Sequence, residues 1–384
     1  MGNPLKGKKV HFMKITYERE KFLQAFHHAA SVVPARSPKP VLKNIRLEVS
    51  PEGGTLMATD LEIGIRVELS GLEVEEPGSV LLPSEQMMDI LRENKDEKLT
   101  LEEDRSQVVV RGERSVFRLR SEEVENFPPV RSFQEQKYHE ISPSLFRQMI
   151  RRTVFATDLE NPRYALGGVL WELLEDRAIA VATDGRRLAK DEGSARSVGG
   201  HGTAESMPII PVRAMQLMER IFTDSEEDLQ IAFRENDVLV RSPKITIYSL
   251  LVEGRFPRWR DVFPQTPYPM RVELAVEPFY QAVREAAIMT SQEHRGVRLT
   301  FGEGKVVLTA QESEVGESRI ELPISYEGPE IPVALNHRFL IDFLRALDQE
   351  TTFTMEMKDS ESPVIFRTQN GYEYIVMPLA LQSS

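Results

Sequence analysis

The sequence predicts an α+β protein built from three tandem domains of similar fold, and three observations support this prediction. Ala-Thr-Asp at 58–60 returns at 182–184 and, as Thr-Ala-Gln, at 309–311, so the marker recurs about every 125 residues. Leu-Leu-Pro at 81–83 keeps the same register, with counterparts at 209–211 and 334–336. A chain of 384 residues is also too long for one hydrophobic core and fits three domains of common size.

Proline-rich segments predict where the repeats meet. One lies at 126–137 and another at 256–269, each containing Phe-Pro near its start, and Met-Pro at 377–378 closes the third repeat at the equivalent place. We therefore predict domains at 13–139, 140–266 and 267–384, preceded by a disordered extension at 1–12.

Each repeat carries two helix signals and a set of strand signals. Apolar residues with helical spacing, which open each repeat, occur over Glu18–Val33, Pro143–Thr157 and Phe279–Ala287. A second helix follows the second marker and is predicted, for the later repeats, at Pro211–Phe222 and Asn336–Leu347. Alternating apolar residues predict strands, including hairpins at Val108–Val110 with Val116–Leu119, at Leu229–Phe233 with Val238–Arg241, and around Gly302-Glu303-Gly304. The Gly- and Ser-rich stretch Asp191–Ser206 is expected to be a mobile surface loop.

Composition limits the class of protein and its compartment. Apolar residues at 41% and charged residues at 28% are typical of a folded domain, and no apolar run is long enough to span a membrane. Residues 1–12 lack the apolar centre of a signal peptide. The absence of cysteine excludes disulfides, thiolate metal sites and cysteine nucleophiles, and fits a cytoplasmic protein.

The net charge of −12 does not describe every part of the chain, because basic residues are unevenly distributed. The predicted helices are richer in arginine than the rest of the chain, and the residues concerned are Arg147, Arg151, Arg152, Arg213, Arg220, Arg338 and Arg345. Such residues fit solvated helix faces, or else a basic lining that attracts phosphates without sequence preference. Both readings stay open on charge alone.

The sequence shows no motif for catalysis, a cofactor or a metal. Asp60 and Asp184 occupy equivalent places in two repeats, where an aspartate that fixes a turn would recur naturally, and the third repeat has Gln311. The alternative is a metal-dependent nuclease or phosphoesterase that uses Asp60 and Asp184. The seven histidines show no metal-ligand spacing, and no nucleotide-binding or nucleophile motif is present. We therefore expect a non-catalytic protein without a cofactor.

Several motifs, taken in order, resemble the bacterial sliding clamp family, the beta subunits of DNA polymerase III. They cover nearly the whole chain from residue 13 and comprise Met13–Ile15, Ala58–Glu62, Val181–Ala189, Gly254–Pro257, Arg295–Leu299 and Val376–Leu379. The Thr-Asp-Gly-x-Arg-Leu-Ala string within 183–189 and the terminal Met-Pro pair are specific in combination.

The resemblance implies a DNA clamp fold in which each domain has two inner helices and outer sheets. It also implies a head-to-tail homodimeric ring that encircles double-stranded DNA and slides without sequence specificity. Such a protein is a processivity factor, a non-catalytic subunit of a DNA-directed DNA polymerase, which is a nucleotidyltransferase. The implied partners are the polymerase catalytic subunit, the clamp loader and other proteins that carry a clamp-binding peptide.

The resemblance also assigns residues to three surfaces. It implies DNA contacts at Arg36, Arg163 and Tyr164, although Tyr164 taken alone would suit loop packing. It implies a dimer interface formed by Phe117 and Leu119 of one chain with Ile288 and Met289 of the other. The implied partner-peptide groove, which on residue type alone would suit an interdomain core, comprises Leu166, Thr183, Gly185, Arg187, Leu188, Pro257, Val262, Asn336, Ser362, Val376, Met377, Pro378 and Leu379.

Overall fold

The computed structural model describes residues 13–104, 107–158, 160, 165–203, 206–312 and 314–380. These residues form two compact units, one within Met1–Tyr138 and Asp224–Leu250, the other within His139–Thr223 and Leu251–Ser384. In this part of the chain, no helix has both the length and the apolar character that a membrane crossing requires.

The first repeat has two helices and nine strands within its described residues. The helices are α1 (Arg19–Ala30) and α2 (Ser84–Glu93). The strands are β1 (Lys14–Glu18), β2 (Asn44–Ser50), β3 (Gly53–Thr59), β4 (Ile63–Leu69), β5 (Glu73–Glu76), β6 (Gly78–Pro83), β7 (Lys98–Asp104), β8 (Gln107–Arg111) and β9 (Val116–Arg120).

The second repeat returns the same order of elements. Its helices are α3 (Pro143–Thr153) and α4 (Val212–Ile221). Its strands are β10 (Tyr138–Ile141), β11 (Gly168–Leu173), β12 (Arg177–Thr183), β13 (Arg187–Ser194), β14 (Arg196–Val198), β15 (Ile209–Pro211), β16 (Leu229–Phe233), β17 (Asp237–Arg241) and β18 (Ile245–Leu250). Ser142 caps α3 by accepting a hydrogen bond from Leu145 N (3.3 Å), and Pro143 suits the first helical position.

The third repeat follows the same order with one strand fewer among its described residues. Its helices are α5 (Val276–Ala286) and α6 (His337–Arg345). Its strands are β19 (Met270–Ala275), β20 (Gly296–Gly302), β21 (Lys305–Glu312), β22 (Gly316–Pro323), β23 (Ile331–Asn336), β24 (Thr352–Met357), β25 (Val364–Arg367) and β26 (Glu373–Val376). In all three repeats the two helices pack against each other, and α1, α3 and α5 also pack on strands of their own repeat.

Strands of neighbouring repeats join in the same sheets. In the first unit the strand order is β16-β17-β18-β4-β3-β2-β6, so β18 of the second repeat pairs with β4 of the first. In the second unit it is β15-β11-β12-β13-β26-β25-β24-β19, so β26 of the third repeat pairs with β13 of the second. Two further sheets are β5-β1-β7-β8-β9 and β22-β21-β20-β23.

The predicted helices and hairpins are confirmed, with ends that differ by a few residues. Val108 lies opposite Leu119 in the first hairpin, and Phe233 lies opposite Val238 in the second. Gly302 lies opposite Lys305, and the two residues between them, Glu303 and Gly304, have positive φ values of 50° and 72°. This conformation is that of a tight two-residue hairpin turn, which favours glycine.

The prediction of a mobile loop over Asp191–Ser206 is wrong for its first half. Residues up to 194 continue β13, and β14 follows directly. Asp191 is fully buried, and its carboxylate accepts hydrogen bonds from Arg152 Nη1 (3.3 Å) and Gln148 Nε2 (3.3 Å). Small residues in this stretch therefore serve packing, since a Cβ on Gly193 would approach Leu145 Cδ1 to 2.5 Å.

Candidate functional site

The turn between β12 and β13 is fixed by its own polar side chains. Asp184 Oδ1 accepts hydrogen bonds from the backbone N–H groups of Arg186 and Arg187, both at 3.0 Å. Thr183 Oγ1 accepts one from Gly185 N (3.1 Å) and donates one to Arg187 O (2.6 Å). Gly185 has a φ of 83°, a conformation that costs glycine nothing. Asp184 therefore holds a turn.

The first repeat builds the same turn from Thr59, Asp60 and Leu61. Asp60 Oδ1 accepts hydrogen bonds from Glu62 N (3.0 Å) and Ile63 N (2.7 Å), and Leu61 has the same φ of 83°. In the third repeat β21 continues to Glu312, past the position of Gln311, so this turn is absent there. The two aspartates play a structural role, and within the described residues no three His, Asp or Glu side chains form a metal-binding group.

Arg187 connects the turn to the third repeat. Its Nη1 donates to Asp342 Oδ2 (2.7 Å), its Nε donates to Asp184 Oδ2 (3.1 Å), and its guanidinium lies 4.4 Å from the centre of the Phe339 ring. Burial by itself would lower the pKa of Arg187, but Tyr374 and the carboxylates of Asp342 and Asp184 raise it overall. The guanidinium therefore stabilises the local structure.

The end of the third repeat runs beside this turn. Val376 lies opposite Arg187 in the pairing of β26 with β13, and Met377 N donates to Arg186 O (2.8 Å). Leu379 N donates to Ala334 O (2.8 Å), which places Leu379 next to β23. Met377 and Leu379 are 42% and 39% exposed although both are large apolar residues. Exposed large apolar residues of this kind mark a candidate binding surface.

A buried apolar cluster lies under the same segments. It contains residues of β11–β13, of β15, of β25 and β26, and of the segment that joins the second and third repeats, namely Leu170, Ile179, Val181, Leu188, Ile209, Phe256, Trp259, Ile365 and Ile375. Ala165 and Phe263 pack against it. Val262, between Trp259 and Phe263, remains 41% exposed.

The structure thus brings together much of the predicted partner groove. Thr183, Arg187, Leu188, Val376 and Met377 lie on adjoining strands or their turn. Gly185, Pro378 and Leu379 adjoin these residues in the sequence. Leu166, Pro257 and Val262 each stand next to a residue of the apolar cluster or one packed on it, whereas Asn336 ends β23 and Ser362 precedes β25.

Two groove residues have local structural roles. The side chain of Asn336 caps α6 by accepting from Arg338 N (3.0 Å), and Ser362 N donates to Asp359 Oδ1 (2.6 Å) in the turn after β24. Two residues that were not predicted from the sequence, Trp259 and Glu172, form a buried hydrogen bond of 3.0 Å. The one signal for Trp259 was its place two residues after Phe-Pro, in the proline-rich segment.

The predicted DNA-contacting residues are only partly described. Arg36 is exposed in the segment that follows α1, whereas Arg163 and Tyr164 lie outside the described residues. Arg151 is exposed on α3 and forms an ion pair with Glu219. The expectation that Arg152 belongs to a basic helix face is wrong, because its side chain is buried beside Asp191 and lies 5.0 Å from the Tyr372 ring.

The residues predicted for a dimer interface lie at two sheet ends. Phe117 and Leu119 lie half-buried on β9, the last strand of its sheet, as predicted from the sequence. Ile288 is 67% exposed in a short 3-10 turn after α5, and this turn packs against β22, the last strand of another sheet. Each of the two strands presents one side that is not paired with another described strand.

The tandem α+β repeats, the shared sheets and the apolar surface beside Arg187 define a clamp-type binding protein. Residues 13–131 match the N-terminal domain of the DNA polymerase III beta subunit, residues 140–258 its central domain and residues 260–380 its C-terminal domain. The chain belongs to the DNA polymerase III beta subunit family. This confirms the family and the fold expected from the motifs, and it assigns the chain to the non-catalytic, sliding-clamp component of a replicative polymerase.

Individual relatives are similar to this chain over their full length. The beta sliding clamp of Pseudomonas putida is 30% identical over 378 residues, covering 96% of this chain and 100% of the relative. That of Escherichia coli K12 is 29% identical with the same coverage. Two solved structures from Pseudomonas aeruginosa, a DNA polymerase III beta subunit (27% identical) and a sliding clamp bound to griselimycin (26%), each align with a TM-score of 0.89, over 96% of this chain and 100% of theirs. Nothing among the comparisons supports the nuclease alternative.

Proposed function

We propose that two copies of this chain form a head-to-tail ring that encloses duplex DNA in the cytoplasm and tethers a replicative polymerase to it. An enclosed duplex cannot diffuse away, so processivity needs no tight binding and tight contacts would hinder sliding. The polymerase catalytic subunit, the clamp loader and other partners are proposed to bind through short peptides.

The pairing of strands between repeats carries the proposal of a ring. β4 of the first repeat pairs antiparallel with β18 of the second, with Gly64 opposite Tyr248. β13 of the second pairs in the same way with β26 of the third, with Leu188 opposite Ile375. β22 of the third repeat corresponds to β4 and β13, and β9 of the first repeat corresponds to β18 and β26. Pairing β22 of one copy with β9 of another continues the same rule and closes two chains into six domains.

Phe117, Leu119, Ile288 and Met289 support this pairing chemically. Phe117 and Leu119 lie on one face of β9, and Ile320 and Leu322 alternate in the same way along β22. Ile288 and Met289 lie beside β22, since a Cβ on Gly316 would be 3.6 Å from Met289 Sδ. Joining the two strands would remove these apolar side chains from water.

Weak, sequence-independent contacts with phosphates are proposed for Arg36, Arg163 and Tyr164. Exposed arginines on the helices, such as Arg213, Arg220 and Arg338, add to this attraction. The net charge of −12 is compatible with this function because acidic residues elsewhere on the surface dominate the sum.

The predicted partner groove is proposed to take a short apolar peptide. Exposed Met377, Leu379 and Val262 adjoin a buried apolar cluster, and a flexible methionine adapts to varied side chains. The relative that was solved with griselimycin supports a ligand site in this family. We propose that griselimycin binds this chain at the same groove.

Retention on DNA of defined topology tests the proposed function. The particle should have twice the chain mass of 43.8 kDa, and protein loaded on circular duplex DNA should co-elute with it at moderate salt. Cutting the circle once should release the protein, because the ends open an exit. A monomeric mass, or equal retention before and after cutting, would contradict the proposal. The same DNA cut with its ends blocked by bulky protein is the matched control and should retain it.

A further inference from the structure

One buried carboxylate attaches the segment between the second and third repeats to β11. Glu172 is 4% exposed, and its Oε1 accepts hydrogen bonds from Trp259 Nε1 (3.0 Å) and Arg260 Nη1 (2.9 Å). Its Oε2 accepts from Arg260 Nη2 (2.5 Å), which completes a bidentate pair. The same guanidinium lies 4.1 Å from the centre of the Trp259 ring. Three donors on two consecutive residues thus converge on one side chain.

The residues held by Glu172 are flanked by two predicted groove residues. Pro257 O accepts a hydrogen bond from Trp259 N (2.8 Å), and Val262 ends the 3-10 turn that Trp259 begins. Trp259 is buried in the apolar cluster, whereas Pro257 and Val262 are exposed. A movement of the turn would therefore displace both exposed residues together.

We propose that Glu172 is a positioning residue of the partner groove, which acts through Trp259 and Arg260 to hold Pro257 and Val262 ready for an apolar peptide. This inference rests on the proposed peptide groove. If Pro257 and Val262 are already ordered before the ligand binds, no conformational entropy is lost in ordering them on binding. Burial alone would raise the pKa of Glu172, but the hydrogen bonds from Arg260 and Trp259 lower it overall, so the carboxylate stays charged at neutral pH.

Titration with griselimycin tests the proposal in the full-length protein. Glu172→Gln keeps the size of the side chain and removes the charged pair, so binding should weaken roughly fivefold, as expected when an ordered wall becomes mobile. Asp237→Asn is the matched control. Asp237 is equally buried and is held by Arg234 (2.6 Å) and Arg131, but it touches no predicted groove residue, and its substitution should leave griselimycin affinity unchanged.

A double-mutant cycle separates positioning from general destabilisation. If Glu172 acts through Arg260, then Glu172→Gln combined with Arg260→Gln should weaken binding no more than Glu172→Gln alone. Unchanged affinity in Glu172→Gln, additive losses in the double variant, or an equal loss in Asp237→Asn would each overturn the proposal. Failure of the unsubstituted protein to bind griselimycin would instead overturn the groove itself, and this inference with it.

Discussion

Arg187 donates hydrogen bonds to Asp184, Asp342 and the carbonyl of Phe155, and stacks on Phe339. Lysine keeps the charge but cannot reproduce this planar arrangement of donors. Arg187→Lys should therefore lower the free energy of unfolding by about 1–3 kcal/mol in urea denaturation at pH 7, because partly buried acceptors lose hydrogen-bond partners.

The matched control for that substitution is Arg151→Lys. The Arg151 side chain is 56% exposed and pairs with Glu219, so its replacement should change stability by less than about 0.5 kcal/mol. Similar losses in both variants would contradict the role given to Arg187.

Tyr17 and Tyr372 are both fully buried but differ in the hydrogen bonding of their hydroxyl groups. Tyr17 Oη has no hydrogen-bond partner among the described residues, whereas Tyr372 Oη donates to Arg152 O (2.8 Å). Tyr17→Phe should thus leave stability unchanged or raise it by up to about 1 kcal/mol at pH 7, while Tyr372→Phe should lower it by about 1 kcal/mol. Thermal unfolding of the two variants checks the contrast, and a clear loss in Tyr17→Phe would refute it.

The same tyrosines limit the stability of the folded chain at high pH. Burial raises the pKa of Tyr17 and of Tyr372 above their ordinary value near 10. The folded chain keeps both phenols neutral while the unfolded chain ionises them, so their contribution to stability is complete below about pH 10 and is lost as pH rises further. Tyr17→Phe should make the alkaline loss of stability less steep, which unfolding curves between pH 8 and 11 would measure.

The types of the site residues were predictable from the sequence, but their long-range partners were not. Arg152 followed Arg151 on a predicted helix, and nothing local distinguished the two. Asp191, which buries Arg152, lies 39 residues away on β13. Conversely, the structural role of Asp60 and Asp184 was predictable, because an Asx turn depends on neighbours two and three residues ahead.

The turns after β3 and β12 carry different residues at the position with positive φ. Leu61 and Gly185 share a φ of 83°, a region that costs a non-glycine residue about 1 kcal/mol. Leu61 is also partly exposed, so Leu61→Gly should raise the free energy of unfolding by about 0.5–1 kcal/mol. Gly185→Ala should lower it by about 1 kcal/mol, although no atom lies within 4 Å of the added Cβ. Urea denaturation measures both, and a stabilised Gly185→Ala would contradict the backbone argument.

At the level of elements, regular periodicity predicted most of the fold. The helices and hairpins are short-range structures, and their apolar spacing specifies them. The prediction of a loop from Asp191 onward was wrong for its first half because it was based on the small residues there. They instead allow β13 to pack closely against α3, a requirement set by distant parts of the chain.

For the whole molecule, dimerisation and peptide binding should be separable by substitutions in the proposed dimer interface and in the partner groove. Ile288→Asp and Leu119→Asp each place a charge in the proposed interface, so each should give a monomer by light scattering and lose retention on circular DNA. Griselimycin binding should persist, because the groove residues belong to one chain. Val262→Asp should show the reverse: weak griselimycin binding by a dimer that stays on the circle. Loss of both properties in either class would contradict the separation.

The repeat period predicted the number of domains, but it did not reveal which strands join them. That required the register of β18 on β4 and of β26 on β13, set by residues more than a hundred positions apart. The predicted domain boundaries remain predictions, since the compact units divide the second repeat at Asp224.

The composition of β9 has a consequence for misassembly. Arg118 and Arg120 alternate along it with Phe117 and Leu119, and β9 contains no acidic residue. Two β9 strands brought together would set arginine against arginine, whereas β22 supplies two glutamates, Glu317 and Glu321, beside its one arginine, Arg319. A β9 edge would therefore be repelled by a second β9 and would pair more favourably with β22. The like charges of β9 would thus disfavour pairing of two identical edges and favour assembly of the two chains head to tail.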